Sequence, residues 1–249
     1  MTPVALSRWQ GSKRWLVAGY SHTLPSPSPR GRAFDCFAGS IVVAIHWLKL
    51  GYRVVIGDTN ARLIWTLRNL KTRAEDVIAV LATIAAAYQA SPDQRADFYA
   101  RRAHLNRLDP SDVGASALFL FILRAGFNGI YRENLAAACN TPWGDPLLQG
   151  PRAATRTCGF AKDLVQADDL RAIAALLARA DIRLGDFEQT TADARRGDVL
   201  FADAPYAGEP GKKAAFTSYS KGGFSPRDRK RLAAWLRMLD ARGVRFTAT

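Results

Sequence analysis

Asp203, Pro205 and Tyr206 close the stretch Asp-Val-Leu-Phe-Ala-Asp-Ala-Pro-Tyr at 198–206. Together they could grip a planar heterocycle that carries an exocyclic amino group. The ring stacks on Tyr206, while the Asp203 carboxylate and the backbone carbonyl of Ala204 accept the two amino hydrogens. Pro205 stiffens the turn that presents them. Taken alone, the same four residues also fit an ordinary strand-to-loop exit.

Two further groups carry chemistry. In the first, Ala38-Gly39-Ser40 is a tight turn after the apolar run 32–37 and before a helical pattern. Such a turn lets a ligand approach backbone amides at a helix N-terminus. The next apolar run ends on Asp58, the place where an acid holds the ribose hydroxyls of a nucleoside-containing cofactor. The G-x-G-x-x-G fingerprint of dinucleotide enzymes is absent. In the second group, 124–134 and 140–144 mix arginine, asparagine, glycine and aromatics: Arg124, Phe127, Asn128, Tyr131, Arg132, Asn140 and Trp143. Asn128-Gly129 is a hairpin-turn signal. A projecting hairpin of this composition suits reading base edges and wedging between bases. A polar loop with its aromatics packed inward fits it equally well.

These groups need a scaffold. Short apolar runs at 32–37, 53–57, 181–185, 198–203 and 243–248 read as strands, several of them buried on both faces as in a parallel sheet. Helical patterns cover 41–50, 61–70, 74–89, 94–106, 111–123, 169–179 and 227–242, the last capped by Ser225-Pro226. The expected fold is α/β, with ligands gathered beyond the carboxyl ends of the strands. The expected organisation is a core of 1–70 and 157–249 interrupted by a helical and hairpin subdomain at 71–156. Pro25-Ser26-Pro27-Ser28-Pro29 reads as a surface linker. The stretch 207–223, with Lys212, Lys213, Phe216 and Tyr219, is too long for a mere connector. At the front, Arg8-Trp9-Gln10-Gly11-Ser12-Lys13 fits an arm lying over a ligand.

Charge narrows the partners. Among 249 residues, 35 Lys+Arg against 22 Asp+Glu leave a net +13. A field of that sign favours a polyanion, usually nucleic acid, although an arginine-rich proteome produces the same excess. No apolar run approaches the roughly 20 residues that span a bilayer, and residues 1–10 lack a secretory layout. Cys36, Cys139 and Cys158 are far apart, without C-x-x-C spacing, which argues against zinc or a disulfide framework. The expectation is a reduced, cytoplasmic protein without membrane contact.

In order along the chain, these motifs resemble those of the Dam-type DNA adenine methyltransferases. Residues 8–13 are similar to the family's K-W-A-G-G-K, 35–40 to E-P-F-x-G-x-G, and 58–60 to D-I-N. Residues 123–132 are similar to N-R-x-G-x-N-G-x-x-R, 140–144 to N-x-P-x-G, and 203–206 to D-P-P-Y. The resemblance implies a Rossmann-like methyltransferase sheet with helices on both faces, using S-adenosylmethionine on double-stranded DNA, with GATC as the best-known target. It places Trp9, Lys13, Asp35, Phe37, Gly39 and Asp58 around the cofactor, with Asp186 and Phe187 near its adenine. It places Asp203, Ala204, Pro205 and Tyr206 on the target base. Arg8 and Arg132 would read guanines, while Phe127 and Asn128 fill the gap left by the flipped base; Arg124, Tyr131, Asn140 and Trp143 complete the DNA-facing set. No metal is implied.

Three departures qualify this picture. Ala204 stands where the family has a proline, so the carbonyl survives and the preset φ is lost. Ile41 stands where the cofactor loop has its second glycine, and crowding of the cofactor is expected there. Further strands that complete the family's sheet are not found after 243–248, so an unpaired edge is expected, or a second chain that supplies those strands. A reading of DNA binding with impaired or lost catalysis therefore stands beside the active enzyme.

Overall fold

The computed structural model describes residues 6, 12–134, 136–144, 164–205 and 224–249. A short helix, α1 (Arg14–Gly19), precedes β1 (Arg32–Asp35), α2 (Val42–Lys49) and β2 (Arg53–Asp58). The helices α3 (Ala61–Gln89), α4 (Gln94–Leu105), α5 (Val113–Ala125) and α6 (Ala167–Leu177) follow. The chain then returns through β3 (Ala180–Leu184), α7 (Phe187–Thr190), β4 (Val199–Ala202), α8 (Pro226–Ala241) and β5 (Arg245–Ala248).

The strands form one parallel sheet in the order β3-β2-β1-β4-β5. β1 sends the chain to β2 on one side, while β4 lies on its other side, so the switch point falls between β1 and β4. Ligands of open α/β sheets bind at that place. Buried Asp198 fixes the register of this central pair: its carboxylate accepts from the Arg32 amide at 2.8 Å and the Arg32 guanidinium at 3.0 Å. β1 residue Asp35 thereby lies opposite Phe201, two residues before Asp203.

Alternating side chains split the core into two layers. Ala33, Val54, Ile56, Val199 and Phe201 face a large cluster with α2, α3, α5 and α6. Phe34, Val55, Leu200 and Ala202 face a smaller one closed by Phe187 and by Leu232, Leu236 and Leu239 of α8. The helices at 61–125 share the larger cluster with the sheet. α8 starts with the expected cap, a reciprocal box between Ser225 and Asp228 with Pro226 at its first position.

Several expectations shift. The patterns at 61–70 and 74–89 belong to one long helix broken at Arg73 (φ −143°, ψ 38°), so the kink sits between the two expected pieces. α2 is buried nearly all round, because α1 and α6 cover the side turned from the sheet. β5 pairs only with β4 among the described residues and leaves Phe246 38% exposed.

The hairpin is corrected in its geometry. Antiparallel bridges join Gly126 to Trp143 and Glu133 to Cys139. The chain reverses near 134–138, where the Asn134 side chain accepts from the amides of Ala136 and Ala138. Asn128-Gly129 instead lies in a short 3-10 turn (Phe127–Gly129) in one leg, with φ of 55° and 64°. Gly126 is required at its base: a Cβ there would lie 2.6 Å from both the Ile122 carbonyl and the Thr141 methyl group.

Candidate active site and nucleic-acid interface

The turn after β1 and the end of β4 flank the switch point, and a single dipeptide bridges them. Ser12 Oγ lies 2.9 Å from Ser40 Oγ, beside Gly39. The next residue, buried Lys13, donates its ammonium to both Asp203 oxygens at 2.6 and 2.7 Å. Asp203 is 19% exposed in its side chain. Its Oδ1 also accepts from the Thr249 hydroxyl at 2.6 Å, next to the bond from the Thr249 amide to the Ala202 carbonyl. A carboxylate has about four lone-pair positions. Among the described residues these donors take three of them. Ala204 packs with Phe37 and Phe224 against the smaller core.

The other acids occupy different surroundings. Asp35 is buried at the end of β1. Desolvation raises its carboxyl well above the usual range, and the neighbouring Asp203 charge adds to this, while the amides of Ala44 and Phe37 pull it back. Asp58 accepts from the Gly39 amide at 3.1 Å with one oxygen and from the Asn60 amide at 2.9 Å with the other. Desolvation raises its carboxyl too, against those amides. This binds the glycine turn to the end of β2, the arrangement that a nucleoside site needs.

Ile41 is fully buried and adopts φ 55°, ψ 12° at the N-terminus of α2. That is the left-handed region, unusual for a β-branched residue and open to glycine. The backbone thus keeps the shape a glycine would take, and the side chain fills the space a glycine would leave.

An aromatic wall stands beside this turn. Phe37 lies 5.8 Å from Phe187 and 5.8 Å from Phe224, ring centre to ring centre. Asp186 caps α7 through a reciprocal box with Gln189 and pairs with Arg231 at 2.8 Å. Although desolvation opposes it, that guanidinium lowers the Asp186 carboxyl below its usual range. The Asp186 side chain is thus committed to positioning Phe187, over whose ring Arg231 lies at 5.2 Å.

The residues expected to face DNA divide. Phe127 is 48% exposed in the 3-10 turn, Asn128 stands next to it half-buried, and Arg132 is exposed. Arg124 and Tyr131 are corrected, because both are buried inward. The Arg124 guanidinium donates to the carbonyls of Leu164 at 2.7 Å and Val165 at 2.5 Å. Tyr131 packs edge-on against Phe119 and donates to Glu133 at 2.6 Å. Trp143 is held from behind by a 2.9 Å bond from its indole to the Tyr88 hydroxyl. Asn140 is half-buried and bonds Arg132 through its backbone. Arg8, Trp9, Tyr206 and the stretch 207–223 lie outside the described residues.

The model of the D12 class of N6 adenine-specific DNA methyltransferases matches residues 9–249. The chain belongs to this family. It is similar to a type II methyltransferase of Lactococcus lactis subsp. cremoris, 28% identical over 242 residues, covering 96% of this chain and 78% of that protein. It is also similar to a type II methyltransferase of Methanocaldococcus jannaschii, 26% identical over 96% of this chain and 81% of that protein. A DNA adenine methylase of Serratia marcescens is 28% identical over 92% of this chain and 76% of its own length. The chain is thus an adenine-specific DNA methyltransferase with the parallel sheet and flanking helices of that fold. No helix among the described residues is long and apolar enough to cross a membrane.

Lys13 on Asp203, the Thr249 hydroxyl and the Glu133 carboxylate escaped the sequence reading. Lys13 was assigned to the cofactor by resemblance, and its contact across 190 positions has no local signal. Only the adjacency of β4 and β5 brings Thr249 to the site.

Proposed function

We propose that the chain transfers a methyl group from S-adenosylmethionine to the exocyclic amino group of an adenine flipped out of duplex DNA, at GATC or a related site. The observation that carries this reading is the bridge at the switch point, where Ser12 and Lys13 tie the Gly39–Ser40 turn to Asp203. The residues present fit the cofactor. Asp58 offers an acid for ribose hydroxyls, Phe37 and Phe187 offer flat faces for the adenine, and Asp35 offers a buried carboxyl at the end of β1. When bound, the sulfonium supplies an electrophilic methyl group.

The chain's own residues then act on the base. Adenine's amino nitrogen is a poor nucleophile, because its lone pair is delocalised into the ring. Acceptance of one hydrogen by Asp203 and of the other by the Ala204 carbonyl favours a pyramidal nitrogen with its lone pair directed outward. Such catalysis is orientation and electrostatic preorganisation. Lys13 and Thr249 hold the carboxylate still, which is what preorganisation requires. Unstacking the base costs a few kcal/mol, and exposed Phe127 offers an apolar ring for the vacated step.

Plasmid DNA incubated with the purified chain and S-adenosylmethionine, then sequenced for N6-methyladenine, tests the reading. Modified adenines at one short motif, absent with Asp203→Asn, are expected. Ile41 in the cofactor turn favours a second reading, DNA binding without transfer. Specific retention of duplex with no methyl incorporation would select it.

A further inference from the structure

Glu133 lies in the recognition loop, yet its carboxylate is buried and turned toward the sheet. One oxygen, Oε1, accepts from three side chains, two at the N-terminus of α3 and one in the loop itself. The Tyr131 hydroxyl is 2.6 Å away, the Arg62 guanidinium 3.1 Å, and the Asn60 amide 3.3 Å. Arg62 also donates to the Ala137 carbonyl at 2.7 Å, across the loop's reversal. Asn60 caps α3 by accepting from Leu63, and its backbone amide holds Asp58, whose other oxygen holds Gly39. An unbroken hydrogen-bonded chain thus runs from the cofactor turn through Asp58 and Asn60 to Glu133 and the loop.

A buried ion pair is a weak source of stability, since well-packed apolar residues often serve as well or better. What such a group can supply is register. Desolvation raises the Glu133 carboxyl, and the Tyr131 hydroxyl and Arg62 guanidinium pull it only part of the way back.

We propose that Glu133 is a positioning residue that sets the recognition loop against the cofactor end of β2, so that cofactor and DNA tighten each other's binding. The inference rests on the assignment of Asp58 to the cofactor and of the loop to DNA. Coupling of this kind is reciprocal, and factors of about 5 or more are ordinary.

The test uses the whole chain, S-adenosylhomocysteine, and a short duplex carrying GATC or the site found on plasmid. Calorimetry gives the dissociation constant of S-adenosylhomocysteine with and without saturating duplex. The parent is expected to bind it about fivefold or more tightly with the duplex present. Glu133→Ala brings that ratio close to one while leaving affinity in the absence of DNA near the parent's. Glu133→Gln, which keeps an oxygen acceptor, retains most of the coupling, and Tyr131→Phe gives an intermediate loss. Should Glu133→Ala fail to fold, Tyr131→Phe decides. The inference is overturned if Glu133→Ala lowers the melting temperature and keeps the parent's ratio, since Glu133 is then merely structural. It is also overturned if the parent binds both ligands independently. A parent that binds no duplex at low salt overturns the functional reading as well, so the two failures are told apart.

Discussion

Ile41 sets two effects of known size against each other. Its left-handed backbone costs an L-residue roughly 1–2 kcal/mol, and glycine removes that cost. Loss of a fully buried side chain of this size costs about 2–5 kcal/mol. The second term is larger, so Ile41→Gly is expected to lower the melting temperature. Opening the turn is expected to strengthen S-adenosylhomocysteine binding at the same time. Calorimetry giving equal dissociation constants for variant and parent would show that the side chain does not crowd the ligand. Asp35 makes a prediction in pH. Its folded carboxyl sits well above the ordinary 3.8, so the folded chain holds a proton that the unfolded chain releases as pH rises. Its contribution to stability therefore falls from about pH 4 up to the folded pKa. Asp35→Asn removes that loss and is expected to raise the melting temperature at pH 7.5, with a gain that shrinks as the pH approaches 4. A gain that is flat with pH would mean that ionisation of Asp35 is not what the fold resists.

At the scale of elements, what was legible in the sequence was local. Apolar runs of four to six residues marked the strands within a few positions, and the Ser225-Pro226 cap located α8. The recognition loop was legible as a loop and not as a shape. Asn128-Gly129 does take the two left-handed positions its sequence announces, but they form a short 3-10 turn, and the chain pairs around 134–138. Arg124 and Tyr131 looked like DNA contacts by type, and only tertiary packing shows that Leu164, Val165 and Glu133 claim them. The 3-10 turn leaves Phe127 exposed. Phe127→Ala removes a side chain with few buried contacts, so stability is expected to change by less than about 0.5 kcal/mol. If the ring fills the step vacated by the target base, the methylation rate falls, and 2-aminopurine at that position gives a smaller rise in fluorescence on binding. An unchanged fluorescence rise would remove Phe127 from base flipping.

The whole molecule adds a field that no single contact supplies. Its net +13 is spread over the chain, and internal partners take up many arginines, such as Arg32, Arg62, Arg183 and Arg231. The excess that reaches solvent is what a phosphate backbone meets. Each phosphate neutralised contributes about −0.9 to the slope of log affinity against log salt. A footprint of about six phosphates then predicts a slope near −5, and roughly a thousandfold weaker duplex binding at 200 mM than at 50 mM salt. Fluorescence anisotropy of a labelled duplex measures this directly. S-adenosylhomocysteine binding in the absence of DNA should hardly change over the same range, because its partners are sheltered from solvent and exchange few counterions. The contrast between the two slopes is the informative quantity. A shallow duplex slope would mean that the basic surface faces something other than DNA; a steep slope shared by both ligands would mean that salt acts on the fold itself.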